Sequence, residues 1–414
     1  MKAPATIIAG ARLLELPEAR YRAPCDILIE DGMVRAVDSG PIAVDGARRI
    51  DVGGRVVMPG LIDAHVHVIA VDEDFTGLAR LSPFLLAART SRVLAHMLER
   101  GFTTVRDAGG ADAGLRAAVA GGHFRGPRLF VSDRGLAQTG GQGDFRLAGQ
   151  THLGCEHCGG RRSITRVVDG VEAIRLAARE MLRDGADQIK VFASGGIASG
   201  IPIDRPQFTP EELRVMVEEA ERCGTYVMAH AYQDEAVRRC LEAGIRSIEH
   251  ASHIDDETCK RVLDAGATIV PTLVVYDAHA GQSPRFAAML EASLESLARA
   301  AHHGIPIGHG SDLGGPSHAL QSREFLLKSR VQSPAEVIRS ATSVNATLLG
   351  EAGRLGTLRP GAHADLVVLD GDPLADIACL AAPEAHLRLV MKAGHVELDR
   401  LDHPTSSLDG TRDR

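Results

Sequence analysis

Between Val56 and Gly308 short apolar runs alternate with amphipathic stretches, and this alternation restricts the fold more than any other feature of the chain. The runs are Val56–Ile62, Phe102–Arg106, Arg128–Ser132, Gln188–Phe192, Tyr226–Ala229, Ser247–Glu249, Thr268–Pro271 and Ile305–Gly308. Short continuous apolar segments of this kind suit strands buried on both faces of a parallel sheet. The spacing predicts helices over Leu85–Arg100, Val171–Arg183, Asp234–Ala243, Asp256–Ala265 and Arg285–His303. Start signals stand at Thr209-Pro210-Glu211-Glu212 and Ser333-Pro334-Ala335-Glu336, where an N-cap hydroxyl, a proline at the first helical position and a capping-box glutamate coincide. Eight strand-helix units favour an α/β fold of the (β/α)8 TIM-barrel type over an open sheet. With 44% hydrophobic residues in 414, the chain has ample material for such a core.

The two ends read differently. Thr6–Leu16, Asp26–Ile29, Met33–Val37 and Arg49–Val57 are strand-like, as are Leu366–Leu369, Leu387–Met391 and His395–Leu398. Strands need a covering layer, so residues 1–57 and 357–400 are expected to build one small β-sandwich domain beside a barrel over 58–356, with 401–414 a mobile tail. The loop from Asp133 to Ser163 is long and glycine-rich, the profile of a functional lid. It lacks the Gly-x-x-x-x-Gly-Lys pattern of a phosphate cradle.

A net charge of -8 without a basic cluster argues against nucleic acid or an anionic membrane as partner, and for a small molecule. No apolar run approaches the roughly 18 residues that span a bilayer, and the first residues lack a signal-peptide pattern, so a cytoplasmic location is expected. The seven cysteines are odd in number and scattered, which suits reduced thiols. Cys155-Glu156-His157-Cys158 is read as a loop with two free thiols.

Chemistry collects where barrel strands end. The first run leads into Asp63-Ala64-His65-Val66-His67. Alternation along a strand points both imidazoles one way, within reach of a single metal ion at about 2.0–2.1 Å, whereas two histidines at a strand end can also be packing or surface residues. The fourth run carries Lys190, one of only five lysines. The fifth ends in His230-Ala231-Tyr232, the sixth in Glu249-His250, and the eighth in His309-Gly310-Ser311-Asp312. Taken singly, His230, His250 or Lys190 is better explained by packing; jointly the residues form a chemically complete set.

These residues, together with Pro59-Gly60 before the histidine pair and the Ala364-Asp365-Leu366-Val367-Val368-Leu369 stretch, resemble the amidohydrolase superfamily over nearly the whole chain. The resemblance implies two divalent metal ions, zinc by preference. His65, His67 and Asp312 would hold the more buried one, His230 and His250 the second, and Lys190 would bridge them as a carbamate formed with carbon dioxide. Many members have threonine where this chain has Ser311, which keeps the hydroxyl. The logic is sound physically. A protonated lysine repels cations, a carbamate binds two, and arginine cannot become one. Metal charge brings a bound water towards a pKa of about 7, Asp312 would move its proton to the leaving nitrogen, and Tyr232, on the face of His230, could donate to the developing oxyanion.

Ile189–Gly196, His230-Ala231-Tyr232 and Ser247–His250 look like the branch of Xaa-Pro and Xaa-Arg/Lys dipeptidases, which includes hydrolases of N-acyl amino acids such as ochratoxin and of carbamate-like pesticides. The implied substrate is a small-molecule amide or peptide, and relatives are often homo-oligomers. A substrate carboxylate calls for an arginine, with Arg106, Arg134, Arg161, Arg162 and Arg205 as candidates. His253, His279, His309 and His318 lie near the site by sequence and are candidate substrate contacts. His96, His123, His302, His303, His386 and His403 are expected at the surface. Two other readings stand beside this one: a cyclic-amide hydrolase similar to imidazolonepropionase, against which Lys190 speaks, and a non-catalytic scaffold, against which the full ligand set speaks.

Overall fold

A computed structural model describes residues 5–150 and 163–401. Two parallel sheets carry the alternation. One runs Leu61–Val66, Phe102–Asp107, Arg128–Phe130, and the other Thr165–Val167, Gly135–Ala137, Ile189–Phe192, Val227–Gln233, Ser247–His253, Thr268–Val270. Backbone bonds join them at both edges. The Asp187 N–H donates to the Val131 carbonyl at 2.7 Å, and the Ala64 N–H to that of His309 at 2.8 Å. Every residue of Leu61–Val66 and Ile189–Phe192 is buried, as sheets covered on both faces require. Both capping boxes form: Thr209 with Glu212, and Ser333 with Glu336.

A mixed sheet gathers strands from both chain ends in the order His395–Asp399, Leu387–Lys392, Leu366–Leu369, Val56–Pro59, Thr6–Glu15, Cys25–Glu30, Met33–Asp38. Ile8, Ile27, Val57, Leu366 and Leu389 pack on one of its faces. Its other face, with Leu14, Met58, Val367 and Leu387, shares a core with Leu61, Leu98 and Phe102 of the parallel part.

Three expectations change. The run Val56–Ile62 is two strands in different sheets, divided at Gly60, where an added Cβ would lie 2.1 Å from Thr103 Oγ1. The run Ile305–Gly308 is reduced to a single parallel bridge between Ile307 and Ile269, because Pro306 has no N–H to continue a ladder. The loop after Asp133 holds the strand Gly135–Ala137, too short and too glycine-rich to register as one. Cys155, Cys158, Arg161, Arg162 and the tail beyond Leu401 lie outside the described residues. The described cysteines form no disulfide, and no helix among the described residues is long and apolar enough to cross a membrane.

The crossover at Gly60 leaves no space for a side chain. Gly60→Ala should lower the stability of the folded protein by about 1–3 kcal/mol, the usual range for overpacking. Urea unfolding of the two proteins checks it, and an unchanged midpoint would mean that the strands separate without strain.

Candidate metal centre

A cavity of about 440 Å³ opens where the parallel strands end, and His65, His67, Lys190, His230, Tyr232, His250 and Asp312 all line it. Asp312 Oδ1 lies 3.4 Å from His65 Nε2 and 3.2 Å from His67 Nε2. Ligands at 2.0–2.1 Å around a tetrahedral ion stand about 3.4 Å apart, so these three donors already have the spacing that zinc requires. His230 and His250 continue the cluster, with ring centres 4.5 Å apart, and His250 lies 5.2 Å from His65.

Each imidazole is anchored through one nitrogen, which frees the other for the cavity. His65 Nδ1 pairs with Glu249 Oε2 at 2.7 Å, His67 Nδ1 with the Gly109 carbonyl at 2.9 Å, and His250 Nδ1 with Thr272 Oγ1 at 2.8 Å. His230 is held by the opposite nitrogen, Nε2, at 3.0 Å from the Gly195 carbonyl. Four imidazoles anchored in this way fit a metal site better than a set of packing histidines, whose free nitrogens would have no reason to converge.

Beneath these imidazoles lies a buried ionic layer. Arg106 donates from Nε to the Ala64 carbonyl at 2.6 Å, from Nη1 to Ser247 Oγ at 3.0 Å, and from Nη2 to Glu249 Oε1 at 2.9 Å. It is fully enclosed, lies outside the cavity lining and is paired with Glu249, so it is not a receptor for a substrate carboxylate. Burial pushes the Glu249 carboxyl up, but the charge of Arg106 and the bond from His65 outweigh it and hold the group at about 2. Burial lowers the Lys190 ammonium to about 8, against the partial support of Glu249 and Asp312. Burial and the neighbouring Lys190 charge take His230 down to about 3. His230 is therefore a neutral imidazole with a lone pair at physiological pH, the form that ligates. Although burial opposes ionisation of Asp312 too, His65 and His67 keep it a carboxylate.

Three residues here adopt left-handed backbone that side chains rarely accept: His250 at φ 75°, Thr272 at φ 50° and Asp312 at φ 54°. Such strain costs of order 1–3 kcal/mol per residue and persists where surroundings over-determine it. For Asp312 the surroundings are explicit. Its N–H donates to the His65 carbonyl at 2.8 Å, and the preceding Ser311 hydroxyl donates to Asp63 Oδ2 at 2.6 Å, which Gln321 also binds at 2.9 Å. Asp63, Glu249 and Thr272 escaped the sequence reading as supports. Asp63 stands two residues before His65 and so shares its face, a signal that a search for polar residues at inward strand positions would have found.

The remaining candidates separate. Tyr232 lies flat against His250, with ring centres 5.0 Å apart at 16°, and accepts a hydrogen bond from the Tyr276 hydroxyl. Burial raises both phenols, so both stay protonated. His279 lines the cavity. His309 does not touch it, being wedged between Phe102 and Phe325. His318 is fixed on the Ala70 carbonyl and His253 is exposed outside the lining. His96, His123 and His302 are exposed, whereas His303 binds Asp256 and His386 the Asp370 carbonyl. Arg134 sits beside Asp133, Arg205 is exposed away from the lining, and His403 lies outside the described residues. The rest of the wall is aromatic, with Phe75, Phe145, Phe192 and Phe286, and bears Glu73 and Asp74.

Residues 56–396 match the amidohydrolase family. The chain belongs to it. Ochratoxinase from Aspergillus niger is 33% identical over 355 residues, covering 80% of this chain and 73% of that protein. The crystal structure of an amidohydrolase superposes with a TM-score of 0.93 at 43% identity, covering 96% of this chain and all of the other. A prolidase complexed with N-methylphosphonate-L-proline gives 0.91 at 43% identity, over 95% and 99% of the two chains. This member of the amidohydrolase family is thus an α/β protein of TIM-barrel type and a hydrolase, from a family that generally uses divalent metal ions.

A buried amine with a lowered pKa has a measurable cost. In the unfolded chain Lys190 keeps its proton up to about 10.5, whereas in the folded protein it loses it near 8, so folding is penalised below that window and the penalty fades across it. Metal-free Lys190→Met should therefore be more stable than the parent at pH 7, with the difference shrinking as pH rises from 8 to 10.5. Urea midpoints across that range test this, and a constant difference would mean that the amine is not desolvated.

Proposed function

We propose that this protein is a binuclear metal-dependent amidohydrolase that cleaves the C–N bond of a dipeptide, an N-acyl amino acid or a related small amide. The parallel strands are read as a closed (β/α)8 barrel, and the sheet of the chain ends as part of a β-sandwich over 1–57 and 357–400. One observation carries the reading. His65, His67 and Asp312 stand at ligand spacing, while Lys190, His230 and His250 share their cavity.

His65, His67 and Asp312 would hold one cation, His230 and His250 the other, and Lys190 would reach both. A lysine at about 8 is neutral in roughly a tenth of molecules at pH 7, enough for the amine to attack carbon dioxide, form an N–C bond and release a proton to water. The resulting carbamate carries two oxygens and no positive charge. When bound, divalent ions, zinc by preference, polarise the scissile carbonyl and acidify water. The Asp312 carboxylate accepts the proton that this water loses on attack and returns it to the departing nitrogen. Tyr232 donates its hydroxyl proton as a hydrogen bond to the carbonyl oxygen as negative charge grows there. The aromatic wall of Phe75, Phe145 and Phe286 excludes water from the apolar part of the substrate.

Release of free amino acid from a library of dipeptides and N-acyl amino acids tests the reading, alongside elemental analysis, with about two zinc ions per chain expected. Lys190→Ala and Asp312→Asn should each reduce turnover by at least about 10³-fold. Near-normal rates in either variant would remove this mechanism, and no metal uptake from zinc-supplemented medium would favour a scaffold.

A further inference from the structure

The cavity wall contains a second tyrosine for which the proposed chemistry has no role. Tyr276, on the helix Leu273–His279, has no exposed surface on its outer side, yet it lines the cavity beside Tyr232. Its hydroxyl donates to the Tyr232 oxygen at 3.1 Å. From behind, Ser252 Oγ lies 3.2 Å from the Tyr276 oxygen. Ser252 is itself buried, and its backbone carbonyl is fixed by the Ser296 hydroxyl at 2.8 Å.

A phenol has one proton to give and limited capacity to accept. With Tyr276 donating to its oxygen, Tyr232 keeps its own proton to present, and the open side is the cavity. We propose that Tyr276 is a positioning residue, whose hydroxyl fixes the rotation of the Tyr232 O–H so that it points at the substrate carbonyl before substrate arrives. This rests on the oxyanion-donor role proposed for Tyr232. Preorganised donors matter because the cost of orienting them is met in folding rather than during reaction. A chain of hydroxyls also polarises along its length, which strengthens the terminal donor.

Tyr232→Phe, Tyr276→Phe and their double variant, all loaded with zinc, test the proposal on a dipeptide or N-acyl amino acid that the wild type cleaves. N-methylphosphonate-L-proline, whose tetrahedral phosphorus copies the attacked carbonyl, serves as an activity-independent binding probe by calorimetry. Tyr232→Phe should lower kcat about 100-fold. Tyr276→Phe should lower it about tenfold, with KM and zinc content unchanged and probe affinity reduced in proportion. The double variant should match Tyr232→Phe alone, since the second change has nothing left to orient. Ser252→Ala, a milder change to the same chain, should act in the same direction by a smaller factor. Wild-type kcat in Tyr276→Phe, or a double variant in which the two losses multiply, would overturn the proposal and leave the role of Tyr232 intact. Wild-type kcat in Tyr232→Phe would overturn that role and the positioning role with it. A wild type that neither turns over any such compound nor binds the probe would overturn the reading of the site itself.

Discussion

The Arg106–Glu249 ion pair, with neither side chain exposed, is the interaction on which the site depends. Removing two charges from water is costly, and a buried pair repays the cost only when the remaining hydrogen-bonding capacity is satisfied. Here it is. Arg106 uses its other donors on Ala64, Ser247 and Tyr226, and Glu249 spends its second oxygen on His65. One pair thereby ties three strands together and sets the ring orientation of the first proposed ligand. The strained backbone at His250, Thr272 and Asp312 is tolerable because this layer and the Asp63 network leave the chain no alternative path.

Much of this was legible in the sequence because barrel strands are short, apolar and followed by capped helices. The same regularity made the ends of the strands, and with them the convergence of His65, His67, Lys190, His230, His250 and Asp312, readable without coordinates. What was not legible has physical reasons. Gly60 looks like a turn glycine, and only the approach of Thr103 shows that it marks a change of sheet. Pro306 sits inside an apolar run, so periodicity promised a strand that the missing N–H prevents. Arg106 resembled a substrate-binding arginine because a sequence does not reveal that its partner, Glu249, lies in the other parallel sheet. Tyr276 and Thr272 belong to a segment after Thr268–Val270 where the backbone turns left-handed, a conformation for which β-branched threonine gives no warning.

The cavity also narrows what the protein can accept. Among the described lining residues Lys190 is the only cationic side chain, and in the proposed mechanism it becomes an anion. Glu73 and Asp74 add negative charge at the mouth, and neither Arg106, Arg134 nor Arg205 faces inward. Recognition among the described residues therefore falls to aromatic faces and to the hydroxyl, amide and imidazole groups of Tyr232, Gln142 and His279 rather than to a guanidinium clamp. Such a wall rewards shape and planarity in the substrate more than charge.

The strand that leads into His65 has an unusual history during synthesis. Val56–Pro59 is flanked on one side by Arg12 and Leu13 but on the other by Leu366–Leu369. At ordinary ribosomal speeds of 5–20 residues per second, its second neighbour emerges roughly 15–60 s after it does. Throughout that interval the strand that covers its second edge has not yet been made. The sheet built from both chain ends, and with it the framework that positions His65, is therefore completed only when synthesis is nearly finished.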